Sequence, residues 1–177
     1  MSNALDNFNV LALDVDGVLT DGMISFQRNN DEEIKSFNVH DGQGISIWLN
    51  DGNHVILISG RDSELVNKRA KELNIEHVYQ GSKDKIADLD EALSKINSSP
   101  AQTIFVGDDV GDLKVMQYVG YAIAVHNASE DVQQIADWIT PRDGGHGAVR
   151  DAIEHCMNKA GKWQDAIARM QLENNVQ

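Results

Sequence analysis

The chain has 177 residues, of which 41% are hydrophobic, and a formal net charge of −13 at pH 7. This composition predicts one folded domain over residues 1–177, and the negative charge disfavours a nucleic-acid binder. A single cysteine, Cys156, allows no intramolecular disulfide. The sequence also has no apolar run long enough to span a membrane and no leader-like start. Together these features predict a cytoplasmic protein without membrane contact.

Strand-like and helix-like segments alternate along the chain. Apolar, β-rich runs predict strands within residues 8–14, 54–60, 102–108 and 121–125, with a shorter one at 138–140. Helical spacing predicts helices at residues 62–73, where Asp62 is expected as the N-cap, and at 83–96 and 112–119. The alternation predicts an α/β fold with a doubly wound parallel sheet of the Rossmann-like kind. Ligands of such sheets bind beyond the C-terminal ends of the strands.

Two segments fall outside this alternation. Residues 22–39 have two arms of alternating polarity around the polar turn "RNNDEE", which predicts a β-hairpin projecting from the sheet. The C-terminal tail at about 161–177 is predicted to form a last helix with a loose end.

Acidic, hydroxyl and amine side chains stand where the predicted strands end. They are Asp14 and Asp16 after the first strand, Ser59 after the second, Lys85 at a helix start, and Asp108 with Asp109 after a later strand. In a parallel sheet these positions share one edge. Several carboxylates and a backbone carbonyl are hard oxygen ligands that suit Mg²⁺.

This set of side chains suits phosphoryl transfer. Asp14 can attack phosphorus and form an aspartyl-phosphate, while Asp16 can protonate the leaving alcohol and then deprotonate the attacking water. Ser59 and Lys85 can hold the phosphate oxygens, and Lys85 also balances the acids.

The motifs "DVDGVLTDG", "SGR", "DK" and "GDDVGDL" resemble, in order and spacing, those of the haloacid dehalogenase superfamily of phosphatases. The resemblance implies that Asp14 is the nucleophile and Asp16 the acid and base, with Ser59 and Lys85 on the phosphate. It implies a magnesium ion held by Asp14, Asp108 and the main-chain carbonyl of Asp16. Asp109 and Asp112 would support the metal or Lys85 from behind.

Superfamily members often carry a cap domain, but the segments between these motifs have room only for the hairpin, two helices and a strand. The chain therefore resembles the capless members that hydrolyse 3-deoxy-D-manno-octulosonate 8-phosphate, with which "KSFNVHDGQGI" and "GGHGAVRD" also agree. The resemblance implies a homotetramer joined through its hairpins, with the segment 144–150 reaching a neighbour's site. It implies these substrate contacts in addition to Asp16 and Lys85: Asn38, Val39, His40, Asp41, Gly42, Arg61 and Arg69.

Three alternatives stay open from the sequence. Some relatives have basic residues at the positions of His40 and Ser46, so another sugar acid phosphate, such as an N-acylneuraminate 9-phosphate, is the nearest rival substrate. A phospho-acceptor receiver domain also combines a doubly wound sheet with an acidic cluster, although Ser59 stands where its acceptor Asp would be. An inactive scaffold would not need the complete set of motifs.

Overall fold

The protein forms a six-stranded parallel sheet with helices on both faces. The computed structural model describes residues 7–28 and 32–174, and it describes side chains as far as Met170. The strands are β1 (Val10–Leu13), β2 (Ser25–Phe26), β3 (Glu33–Ile34), β4 (His54–Ile58), β5 (His77–Tyr79), β6 (Thr103–Gly107), β7 (Tyr121–Ala124) and β8 (Trp138–Ile139). The helices are α1 (Val39–Asn50), α2 (Glu64–Glu72), α3 (Lys85–Lys95), α4 (Leu113–Tyr118), α5 (Glu130–Ile135), α6 (Ala148–Lys159) and α7 (Trp163–Asn174).

The order of the strands distinguishes the candidate folds. Across the sheet it is β5-β4-β1-β6-β7-β8, and all neighbours are parallel. Without the hairpin strands β2 and β3, this is the 3-2-1-4-5-6 order of Rossmann folds, whereas receiver domains follow the order 2-1-3-4-5. The predicted α/β class is therefore confirmed, and the receiver alternative is excluded. The order reverses beside β1, so the ligand crevice is expected beyond the ends of β1 and β6.

The core consists of two apolar layers, one on each face of the sheet. Along β1, Leu11 and Leu13 pack in the layer that contains residues of α1, α2, α6 and α7. Val10 and Ala12 point the other way, into the layer that contains residues of α3, α4 and α5. Burial on both faces explains why these strands are continuous apolar runs rather than alternating ones.

The helix that follows β4 begins later than predicted. Asp62 is not its N-cap, because α2 begins at Glu64 and the extended residue before it is Ser63. The next helix has a clear start, since the Asp84 side chain accepts hydrogen bonds from the N–H groups of Ile86 and Ala87. This cap fixes Lys85 as the first residue of α3.

The hairpin is shorter than the sequence predicts. Only two residues in each strand pair, in antiparallel register with Ser25 opposite Ile34 and Phe26 opposite Glu33. Part of its turn, residues 29–31, lies outside the described residues, as do the last three residues of the C-terminal tail. The tail itself contains the predicted helix, α7, whose Trp163 and Ala166 pack on the core. None of the helices described here has the length and apolar character needed to cross a bilayer.

Candidate active site

Three strands of the sheet end in polar side chains at the predicted crevice. Asp14 follows β1, Ser59 follows β4 and Asp108 follows β6, so the two aspartates flank the point where the strand order reverses. Asp14 and Ser59 are only 6% and 3% exposed, although both are polar. Buried polar groups need partners, and their partners define the site.

Lys85 joins two of the site's carboxylates. Its ammonium donates to Asp14 Oδ1 and, over 2.6 Å, to Asp112 Oδ1. Asp112 is 2% exposed, and its other oxygen accepts from the backbone N–H of Asp108 over 3.1 Å. Asp112 therefore orients both Lys85 and the loop after β6.

The site carries more negative charge than its lysine can balance. Burial raises the pKa of Asp14 to about 7, and the carboxylates of Asp112 and Asp16 act in the same direction, while Lys85 opposes them. Burial likewise raises the pKa of Asp108 to about 7, together with repulsion from Asp14, Asp112 and Asp109. Burial alone would lower the pKa of Lys85, but Asp14 and Asp112 outweigh it and raise that pKa. A divalent cation would relieve this excess of negative charge.

The oxygen atoms of the site fit such a cation. Asp14, Asp108 and Asp112 each offer a carboxylate oxygen within 4.8 Å of the others. Gly17 has a positive φ of 99°, and a Cβ there would lie 2.0 Å from Asp108 Oδ2, so only glycine lets that carboxylate approach. Because both oxygens of Asp112 already accept hydrogen bonds, Asp14 and Asp108 are the better direct ligands for magnesium. The proposed contribution of the Asp16 carbonyl stays a prediction.

Asp109 lies at the margin of this cluster. It is exposed, and its carboxylate accepts from the N–H of Val110 over 2.8 Å. This contact caps the 3-10 turn Val110–Asp112, which carries Asp112 into the site.

Ser59 and Arg61 begin the loop after β4. The Ser59 hydroxyl oxygen accepts from the backbone N–H of Arg61 over 3.1 Å, which leaves the hydroxyl proton free to be donated. The Arg61 guanidinium extends over the crevice, where Nη1 lies 3.9 Å from Asp16 Oδ1. Both predicted residues are therefore at the same edge as Asp14 and Asp16.

The hairpin contributes two residues that sequence reasoning missed. Lys35 donates to Asp16 Oδ1, and Glu33 accepts from Arg61 over 2.6 Å. The available signal was the alternation of the second arm, which sets Glu33 and Lys35 on the same face.

The residues at the start of α1, which are predicted to contact substrate, differ in exposure. Val39 and His40 are exposed, and Asn38 caps the helix through the N–H of His40. Asp41 is 1% exposed, and its carboxylate accepts from the backbone N–H of Arg150 at the start of α6. The Asp41 carboxylate therefore holds α6 to α1, and a contact of Asp41 with substrate stays a prediction.

Gly42 and Arg69 contact each other rather than lining the crevice separately. A Cβ on Gly42 would lie 2.3 Å from Arg69 Nη2, which donates to the Asn38 carbonyl over 3.5 Å. Arg69 also pairs with Glu72 at 3.3 Å. Arg69 therefore supports the start of α1, and a contact with substrate stays a prediction.

The glycine-rich segment 144–147 packs against the loop that follows β1 in the same chain. Gly145 N–H donates to the Val18 carbonyl and Gly144 N–H to Asn127 Oδ1, each over 2.9 Å. A Cβ on Gly144 would be 1.6 Å from the carbonyl oxygen of Gly17, so the two loops touch through their backbones. The reach of the segment 144–150 to a neighbour's site stays a prediction.

The sheet and its acidic crevice define the class of haloacid dehalogenase-like hydrolases, whose family model matches residues 74–153. Over 161 residues the chain is 41% identical to the 3-deoxy-D-manno-octulosonate 8-phosphate phosphatase of Escherichia coli (strain K12), covering 91% of this chain and 85% of that protein. The chain therefore belongs to the family of 3-deoxy-D-manno-octulosonate 8-phosphate phosphatases, and it is a phosphomonoesterase. The resemblance predicted from the motifs is confirmed.

Solved structures agree with this assignment. The phosphatase of the same name from Yersinia pestis superimposes with a TM-score of 0.88 at 37% identity, over 91% of this chain and 86% of that one. The enzyme from Moraxella catarrhalis, solved with a magnesium ion, a phosphate ion and a KDO molecule, gives a TM-score of 0.89 at 35% identity, over 94% and 95% of the two chains. The magnesium in that structure supports the acidic crevice as a magnesium site.

Proposed function

We propose that the chain hydrolyses 3-deoxy-D-manno-octulosonate 8-phosphate to the free sugar acid and inorganic phosphate, with magnesium as cofactor. The observation that carries this proposal is the convergence of Asp14, Lys85 and Asp108 in one crevice of a chain whose Moraxella relative holds magnesium, phosphate and KDO. The activity would serve lipopolysaccharide precursor synthesis in the cytoplasm, and the single, buried thiol of Cys156 suits a reducing compartment.

In the first half of the reaction, an oxygen of Asp14 attacks the phosphorus of the ester. The bond from phosphorus to the sugar oxygen breaks, and the sugar oxygen keeps the electron pair of that bond. The same oxygen receives a proton from Asp16. The products are the free sugar acid and an aspartyl-phosphate on Asp14. Lys85, already at the Asp14 carboxylate, and the free hydroxyl proton of Ser59 stabilise the phosphate oxygens.

In the second half, water attacks the same phosphorus. Asp16, now ionised, accepts a proton from this water, and the bond between phosphorus and the Asp14 oxygen breaks. Inorganic phosphate leaves, and both aspartates return to their starting states. Splitting the hydrolysis into two steps lets one acid–base group serve both.

Asp14, Asp108 and the carbonyl of Asp16 would hold the magnesium ion. When bound, it supplies positive charge that reduces the repulsion between the Asp14 carboxylate and the phosphate dianion. The raised pKa values of Asp14 and Asp108 fit a site built around such a charge.

A panel of phosphate esters tests the substrate assignment. We expect kcat/KM to be highest for 3-deoxy-D-manno-octulosonate 8-phosphate, and turnover to stop with EDTA and return with Mg²⁺. N-acylneuraminate 9-phosphate is the second candidate, because it is also the phosphate ester of a carboxylated sugar acid and the exposed His40 at the start of α1 does not by itself select between the two. A preference for the neuraminate ester would select that candidate, and an equal rate with simple hexose phosphates would contradict both.

We also propose that the protein assembles as a homotetramer through its hairpins. Four apolar side chains of the hairpin are exposed: Met23, Ile24, Phe26 and Ile34. Such a concentration of apolar surface on one projection is typical of a contact between subunits. Light scattering after size-exclusion chromatography would measure the mass, and a monomer at micromolar concentration would contradict the assembly.

A further inference from the structure

The hairpin reaches back to the acid–base candidate. Lys35 follows β3, and its ammonium donates to Asp16 Oδ1. The Lys35 side chain is only 2% exposed, whereas that of Asp16 is 22% exposed. An ammonium so deeply buried needs polar partners, and Asp16 and Glu33 supply them, so the contact with Asp16 is a fixed element of the site rather than a solvated surface bridge.

A second carboxylate extends this contact into a small network. Glu33 lies 3.6 Å from the Lys35 ammonium and 2.6 Å from Arg61 Nη2. Arg61 Nη1 in turn lies 3.9 Å from Asp16 Oδ1. Two cations and two carboxylates therefore alternate, and they connect the hairpin to the loops that follow β1 and β4.

Both cations approach the same oxygen of Asp16. With Oδ1 held by Lys35 and faced by Arg61, and with no donor to Oδ2 among the residues that the structure describes, Oδ2 is the oxygen available to exchange a proton. A general acid must meet the leaving oxygen within hydrogen-bond reach, so the orientation of its carboxylate decides its efficiency.

We propose that Lys35 is a positioning residue that holds Asp16 Oδ1 and so presents Oδ2 for proton transfer to and from the reacting groups. The proposal rests on the proposed function, because it assigns Asp16 the acid–base role. It makes the hairpin part of the active site of its own subunit, in addition to any role in assembly.

The leaving group distinguishes positioning from a merely structural role. A sugar alkoxide needs a proton from Asp16 as it departs, whereas p-nitrophenolate departs without one. If Lys35 acts through Asp16, its loss slows release of the alcohol from the sugar phosphate, in the first half of the reaction, and spares release of p-nitrophenolate. The second half is common to both esters, so only the rate of the first half separates them. A structural defect would slow alcohol release from both esters equally. A lost substrate contact would raise the concentration needed for half-maximal rate rather than lower the maximal rate.

The test compares Lys35→Met with the wild-type enzyme on both esters in saturating Mg²⁺. In a single turnover with enzyme in excess, we expect the rate of sugar release to fall about 10- to 100-fold, which is part of the roughly 10²- to 10⁴-fold that general acid–base catalysis supplies. For release of p-nitrophenolate in the same single turnover we expect less than about a threefold change, and Lys35→Arg, which keeps the charge, should restore much of the difference. An equal loss on both esters, or no loss on either, would overturn the proposal.

Two further variants make the result specific. Lys95→Met breaks another lysine–carboxylate pair, with Glu91 at 2.7 Å, at the far end of α3, about 15 Å from Lys85 along the helix, and should leave both rates unchanged. In an Asp16→Asn background, Lys35→Met should cost less than about threefold on the sugar phosphate, since the group it positions is gone. A full additional loss there would contradict action through Asp16.

Misfolding of the variant and failure of the proposed function can each be distinguished from failure of the Lys35 proposal. If Lys35→Met does not fold, Lys35→Gln takes its place in the same comparison, with thermal unfolding as the check on folding. If the wild-type enzyme does not hydrolyse the sugar acid phosphate, the proposed function fails, and any alkyl phosphate that it does hydrolyse serves for the comparison. The Lys35 proposal then still depends only on the ratio of the two rates.

Discussion

Replacing Asp108 with Asn should make the metal-free protein more stable at pH 8, although it removes a side chain of the active site. The pKa of Asp108 is raised from 3.8 to about 7, first by burial and then by repulsion from Asp14, Asp112 and Asp109. In the unfolded chain the same carboxyl ionises freely. Above pH 7 the folded protein therefore holds a charge that destabilises it, and Asn removes that charge while keeping the shape of the side chain.

The magnitude follows from linkage between proton binding and folding. A shift of about three pH units corresponds to at most ~4 kcal/mol, and solvent screening of this partly exposed group reduces the expected gain to about 2 kcal/mol. For a chain of this size that gain amounts to roughly 4–8 °C in the melting temperature. Because the folded-state pKa is the higher one, the penalty develops as the pH rises from 3.8 towards 7 and is complete above 7.

Thermal unfolding of both proteins in EDTA, at several pH values between 4 and 8.5, measures this difference. The variant should melt higher at pH 8, and the two curves should converge towards pH 4. Adding Mg²⁺ at about 100 times its dissociation constant should stabilise the wild-type protein by about 2.7 kcal/mol and the variant much less. A variant less stable than the wild type in EDTA at pH 8, or a difference independent of pH, would refute the reasoning.

Three further changes have definite expected outcomes. Asp14→Asn should abolish steady-state turnover while circular dichroism shows an intact fold, because the amide cannot attack phosphorus and Lys85 keeps its contact with Asp112; measurable turnover would contradict the assignment of the nucleophile. Asp41→Ala should lower the free energy of unfolding in urea by about 1–3 kcal/mol, since it leaves the Arg150 N–H without its acceptor, and an unchanged midpoint would count against that role. Phe26→Asp should reduce the mass in light scattering from that of the assembly to that of smaller species, because it places a charge on the exposed apolar hairpin; an unchanged mass would exclude the hairpin as the interface.

The fold was predictable where local pattern and global architecture agree. Strands buried on both faces are continuous apolar runs, so β1, β4 and β6 could be located from the sequence, and with them the side chains that follow their ends. The same reasoning misplaced the start of α2, because two consecutive residues, Asp62 and Ser63, are both good caps and local preference does not choose between them.

The rest of the site depends on contacts that have no local signal. Lys35 belongs to a hairpin arm nineteen positions from Asp16, and only the folded geometry shows that the two meet. Asp41 directly follows the exposed Val39 and His40 at the start of α1, yet its carboxylate contacts α6, which lies more than a hundred residues later. Pairings of this kind are set by tertiary packing, which the spacing of motifs does not encode.

The most direct test of the mechanism is a search for phosphate on Asp14. An acid-quenched reaction of enzyme, sugar acid phosphate and Mg²⁺ is reduced with borohydride, which converts an aspartyl-phosphate into homoserine, and the peptide that contains residue 14 is sequenced by mass spectrometry. We expect homoserine at position 14 when substrate is present and aspartate when it is omitted. An unmodified Asp14 in the reacting enzyme, or homoserine at another aspartate, would contradict the account.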